Sequence, residues 1–93
     1  MREKALEQKL VEAVKTAGGI APKLVCPGLA GMPDRLVLLP GGKMAFVEVK
    51  APSKMLRPLQ EKRKRQLEAL GFQVYVINSY QAVEDFMKEG DAR

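Results

Sequence analysis

Residues 31–50 read GMPDRLVLLPGGKMAFVEVK. Two apolar runs, RLVLL and KMAFVEVK, are separated by PGG, a spacing that predicts a β-hairpin with a glycine turn. Side chains alternate along a strand, so Met44, Phe46, Glu48 and Lys50 share one face and Ala45, Val47 and Val49 the other. Both faces begin apolar, which predicts a central strand covered on each side, with Glu48 and Lys50 where a buried face meets its rim. An isolated E-x-K at a strand end is ordinarily a local ion pair. Asp34, at the head of the first run, adds a second carboxylate. A two-residue turn at Gly41 and Gly42 sets Asp34 opposite Val49; bringing it onto the Glu48 face requires an odd loop, or a bulge near Pro33.

Two carboxylates ~5 Å apart at an effective dielectric of ~20 repel by roughly 3 kcal/mol, a large share of the spare stability of a small domain. Such a pair calls for a cation. Oxygen ligands without His or Cys select a hard ion such as Mg²⁺ or Mn²⁺. Asp34, Glu48 and the backbone carbonyl of Val49 could hold it. Lys50 would stand beside it, able to orient or deprotonate a water and to offset charge developing on a phosphorane.

The flanking sequence supplies the rest of a domain. Leu6, Leu10, Val11 and Val14 recur at spacings of three and four between Glu3 and Ala17, predicting an amphipathic helix stopped by Gly18 and Gly19. IAPKLVCPG reads as a short strand that Pro22 confines to an edge or a bulge. After the hairpin, a helix starts near Pro58 and runs to Gly71, FQVYVINS is a fourth strand, and a last short helix has Ser79 as N-cap and Gly90 as stop. The order helix, three strands, helix, strand, helix is an α/β sandwich around one mixed sheet. The last three residues are expected to fray.

The 93 residues suit one domain, 1–93. No apolar run approaches a bilayer span, and MREKALEQKL is charged with no apolar h-region, which together predict a soluble, intracellular, cytoplasmic protein. The single cysteine, Cys26, excludes an intramolecular disulfide and a multi-cysteine zinc site. The absence of histidine excludes histidine bases and His-ligated zinc, leaving carboxylates, lysine, hydroxyls or an oxygen-held metal to do any chemistry. A formal net charge of +5 favours a polyanionic partner.

PD, thirteen intervening residues and then EVK resembles the PD-(D/E)XK nuclease superfamily, and CPGLAGMPDRLVLLPGGKMAFVEVKAP followed by LRPLQ resembles its VRR-NUC branch, in a short, stand-alone, virus-type form. The resemblance implies a restriction-endonuclease-like αβββαβα core. It makes Asp34 and Glu48 metal ligands, Lys50 the catalytic lysine and Gln60 the glutamine opening the second core helix. It further implies an acidic residue on the first helix, placed at Glu7, with Glu3 one turn earlier as the alternative.

Arg35 has two readings, pairing with Glu48 or touching a phosphate. Gln60, Arg63 and Lys64 recur at near-helical spacing after a loop carrying Lys54 and Arg57; these cations could form a basic wall for a DNA backbone, although a charge run is ordinarily a solvated face. Three Phe and two Tyr give no stacking platform for single strands; Phe46, Phe72, Tyr75 and Phe86 fall at expected core positions. The reading is a Mg²⁺- or Mn²⁺-dependent endonuclease with one or two ions at Glu7, Asp34 and Glu48, attacking phosphodiesters in line. The family resemblance implies structure-specific cleavage, with four-way (Holliday) junctions cut by a homodimer, since two symmetric cuts need two sites. The rival readings are a non-cleaving nucleic-acid-binding module of the same fold and an unrelated basic α/β protein.

Overall fold

The computed structural model describes residues 2–91, with side chains through Glu89, so the fraying expected over the last three residues lies largely outside the described residues. Three helices and three strands follow in the order α1 (Glu3–Thr16), β1 (Arg35–Leu39), β2 (Lys43–Val49), α2 (Pro58–Ala69), β3 (Val74–Ile77) and α3 (Tyr80–Asp91). The sheet order is β1-β2-β3, with β1 antiparallel and β3 parallel to the central β2. The mixed sheet with flanking helices is the α/β architecture expected.

α1 forms because Leu6, Leu10 and Val14, four residues apart, make one apolar stripe, and all three are fully buried. They pack with Val37, Ala45, Val47, Val49 and Ile77 on one face of the sheet, and Val83 and Phe86 of α3 close the same core. Each fully buried Leu or Val stabilises by about 1.5–3 kcal/mol, so this stripe anchors the helix to the sheet. The helix stops in a Schellman arrangement: Gly18 N–H donates to the Lys15 carbonyl and Gly19 N–H to that of Val14, both at 2.9 Å. α2 stops the same way, through Gly71 to Glu68 and Phe72 to Leu67. At the start of α3 the Ser79 hydroxyl accepts from the Ala82 N–H at 3.0 Å, the expected N-cap. Its other end runs past Gly90 to Asp91.

The strand expected in IAPKLVCPG does not form as a strand. Ile20 exchanges both backbone bonds with Leu38, the Pro22 carbonyl accepts from Leu36 at 3.1 Å, and Leu24 N–H donates to the Asp34 carbonyl at 2.8 Å. The segment thus follows the outer edge of β1 in antiparallel register, but Pro22 has no N–H to return. The ladder reduces to isolated bridges at Ile20–Leu38 and Lys23–Arg35.

The second sheet face is covered less completely. α2 turns only Gln60 and Leu67 fully inward, because EKRKR occupies the intervening turn. Phe72, expected in the core, is consequently 44% exposed, in edge-to-face contact with half-buried Phe46 at 5.9 Å. The loop before Asp34 is held against α2 at Gly31, whose φ is +85° and where a Cβ would stand 2.7 Å from the Leu59 carbonyl oxygen. Gly31→Ala combines backbone strain with a clash and is expected to destabilise the fold by about 2–3 kcal/mol in denaturant titration. Gly28→Ala, with φ +80° and no atom within 4 Å of its Cβ, is the control and should cost about 1 kcal/mol.

Candidate metal and active site

The register of the hairpin decides the geometry. Leu39 pairs with Lys43, so the turn is the three-residue loop Pro40–Gly42, and the pairing runs back to Arg35 opposite Val47. Continuing that register sets Asp34 opposite Glu48. The odd loop therefore replaces the two-residue turn that would have placed Asp34 opposite Val49. Asp34 is pinned twice: its carbonyl accepts from Leu24 N–H, and Oδ1 accepts from Val49 N–H at 3.2 Å.

Glu48 is 7% exposed and Gln60 8%. Gln60 Nε2 donates to Glu48 Oε2 at 3.1 Å, while Gln60 Oε1 accepts from the Arg57 N–H at 2.9 Å, closing the first turn of α2. Lys50 Nζ lies 3.6 Å from the same Glu48 oxygen. The local ion pair expected of an E-x-K is present, with the glutamine and the second carboxylate built around it. Among the described residues, Glu3, Glu7 and Asp34 each offer one carboxylate oxygen to a group within 4.8 Å of one another. Glu48 stands outside that triad, turned towards Gln60 and Lys50. Both helix carboxylates therefore reach Asp34, where sequence reading had to choose between Glu7 and Glu3.

The electrostatics follow from the crowding. Burial, reinforced by the charge of Glu48, pushes the Asp34 carboxyl up to about 7, against the opposing Val49 hydrogen bond. Burial also raises Glu48, opposed chiefly by the charge and hydrogen bond of Lys50 and then by the Asp34 backbone N–H. Like-charged, half-buried carboxylates with an all-oxygen donor set fit a hard divalent cation.

The expected basic wall is only partly outward. Arg35 turns inward to Glu7 Oε2 at 3.5 Å and the Ala21 carbonyl at 2.9 Å. Arg63 spends Nε and one terminal nitrogen on the Ala30 carbonyl at 3.1 and 3.0 Å, bracing the loop before Asp34, and its other nitrogen reaches Gln66. Lys64 pairs with Glu68 at 3.0 Å on the same helix. Lys54 and Arg57 remain exposed beside the site. The brace from Arg63 was missed in the sequence, although a charge interrupting the apolar stripe of α2 is the signal of such a contact.

The pattern of the VRR-NUC domain matches residues 1–81. The chain belongs to the VRR-NUC family. A VRR-NUC domain of solved structure superimposes with a TM-score of 0.88 at 31% identity, covering 92% of this chain and 94% of that one. A phage protein named "Putative nuclease p44", from Acyrthosiphon pisum secondary endosymbiont phage 1, is 51% identical over 79 residues, 85% of each chain. Family and relative both support a nuclease, and VRR-NUC nucleases generally use divalent metals, for which an acidic cluster is present. None of the helices among the described residues is long and apolar enough to cross a membrane.

Proposed function

We propose that this chain is a Mg²⁺- or Mn²⁺-dependent endonuclease that hydrolyses phosphodiester bonds in structured DNA, cutting four-way junctions as a homodimer. The observation that carries the reading is the delivery of Asp34 to the Glu48–Lys50 edge by a three-residue loop, with helix carboxylates across from it. Asp34, Glu7 and Glu48 would hold the ion, with the Val49 carbonyl as a backbone ligand and Glu3 within reach of Asp34. The chemistry that a bound divalent ion supplies is Lewis-acid polarisation of a phosphoryl oxygen and a lowered pKa for water.

The protein groups do the rest. Gln60 fixes the Glu48 carboxylate by its amide, so that oxygen cannot swing away from the rim. Lys50, held by Glu48, presents ammonium donors to the attacking water and to the non-bridging oxygens as negative charge builds on phosphorus. Water adds to phosphorus, the opposite P–O bond breaks, and the departing oxygen takes a proton. Exposed Lys54 and Arg57 suit the flanking phosphates, with Lys64 further along α2. A two-fold pair of such sites would make the two symmetric cuts that resolve a junction.

The test is incubation with labelled four-way junction, duplex and flap DNA in Mg²⁺, Mn²⁺ or EDTA. Paired symmetric cuts in the junction, dependent on either metal and abolished by EDTA, are expected. Binding without cutting in every metal would leave a nucleic-acid-binding module, and neither binding nor cutting would remove DNA from the account. Cleavage that persists in EDTA would remove the metal.

A further inference from the structure

Arg35 is the residue whose surroundings the reaction does not explain. It sits on β1 opposite Val47, on the sheet face that α1 covers. One terminal nitrogen donates to the Ala21 carbonyl at 2.9 Å and the other lies 3.5 Å from Glu7 Oε2, across 28 residues of sequence. The two side chains are only 17% and 21% exposed, and the Arg35 Nε is buried with no hydrogen-bond partner among the described residues. A guanidinium meant for a phosphate would keep its fork in solvent. This one directs its fork inward and leaves a donor unsatisfied to do so.

The consequence falls on Glu7. Its carboxylate is brought within 4.8 Å of Asp34 and Glu3, an arrangement that like charges oppose. Arg35 follows Asp34 in the chain, so a cation there ties the helix carboxylate to the strand end that bears Asp34. Glu3, one turn earlier and exposed, is in none of the ion pairs among the described residues. Of the acidic residues of α1, Glu3 and Glu7 both reach Asp34, but only Glu7 is held there.

We propose that Arg35 is a positioning residue that holds Glu7 against Asp34 as the helix-borne ligand of the divalent-ion site, and that it makes no contact with DNA. This rests on the reading of Asp34 and Glu7 as metal ligands. Partners that orient a ligand are ordinarily worth 10–100-fold in metal affinity.

The test uses DNA-free protein titrated with Mn²⁺ by calorimetry, with Arg35→Met, Glu7→Gln, the double variant and Glu3→Gln, each checked for folding by circular dichroism. Arg35→Met and Glu7→Gln should each weaken Mn²⁺ binding about 10–100-fold. The double variant should bind no more weakly than Glu7→Gln alone, since both changes act through one carboxylate. Glu3→Gln should stay near wild type. In EDTA, the salt dependence of junction binding should be the same for Arg35→Met and wild type, whereas loss of a phosphate contact would lower its slope by about one unit.

Wild-type Mn²⁺ affinity in Arg35→Met, additive losses in the double variant, or a lowered salt slope would each overturn the assignment. Absence of Mn²⁺ binding by the wild type would instead overturn the metal site itself, and with it the role given to Arg35. If Arg35→Met does not fold, Arg35→Lys takes its place: a point charge without the fork should weaken Mn²⁺ binding when Glu7 is present and not when it is glutamine. Equal binding by Arg35→Lys and wild type overturns the proposal.

Discussion

Lys50→Ala is expected to slow junction cleavage by about 10²–10⁴-fold at saturating metal, the usual range for a positioned proton-transfer or charge-stabilising group. Lys50 Nζ stands 3.6 Å from Glu48 Oε2 with its side chain 13% exposed, so its loss cannot be made up by a mobile surface cation. The substitution leaves the Gln60–Glu48 hydrogen bond and the Asp34–Val49 hydrogen bond in place. Metal binding and junction affinity should therefore change little, and the defect should appear in the single-turnover rate constant rather than in Kd. A variant cutting as fast as wild type would reduce Lys50 to the ion-pair partner of Glu48. Burial already raises Glu48 against the opposing charge of Lys50, so removing the ammonium should raise it further. The acidic limb of the residual activity should accordingly move to higher pH.

The second large effect is on stability. Asp34 is pushed up to about 7 in the folded chain, while an unfolded aspartate titrates near 3.9. Between these values the folded state binds a proton that the unfolded state has released. The stabilisation from that proton is complete below about pH 4 and is lost as pH rises through about 7. Glu48, raised in the same direction, adds to the slope. In EDTA the Tm should therefore fall between about pH 4 and pH 7. At neutral pH a divalent ion replaces the missing positive charge, and at 100-fold over its Kd it adds about 2.7 kcal/mol. For a domain of this size that raises Tm by on the order of 10 °C or more. Asp34→Asn cannot ionise, so its Tm in EDTA should vary less with pH and its response to Mg²⁺ or Mn²⁺ should shrink. A wild-type Tm that ignores metal at pH 7.5 would separate the carboxylate cluster from metal binding.

Much of this site was legible because its spacing is local. Glu48 and Lys50 share a face through strand alternation alone, and the glycines of PGG mark the turn between the two runs. Pro58 marks where α2 begins, but Gln60 at its head was picked out as a site residue only by the family resemblance. The turn length could not be read in the same way. PGG accommodates either an even or an odd loop, and one residue of slip moves Asp34 to the opposite face. The structure selects the odd loop, with Leu39 opposite Lys43. The edge segment shows the converse: Pro22 was visible as a breaker, but only backbone pairing with Leu38, Leu36 and Asp34 shows how much of a strand survives around it.

The sequence by itself determined the alternation that mounts Glu48 and Lys50, the apolar stripe that anchors α1, and the donor chemistry: no histidine, one cysteine and carboxylates near a lysine. Only the tertiary structure decided which helix carboxylates reach Asp34, that Arg35 faces Glu7, and that Arg63 braces the Ala30 carbonyl. The physical reason is the range of the interactions. Strand alternation and helix periodicity follow from backbone geometry over a few residues, whereas pairing Arg35 with Glu7 depends on how α1 is rotated and seated on the sheet. That seating is set by Leu6, Leu10 and Val14 packing into a core drawn from four other elements, and no local rule contains it.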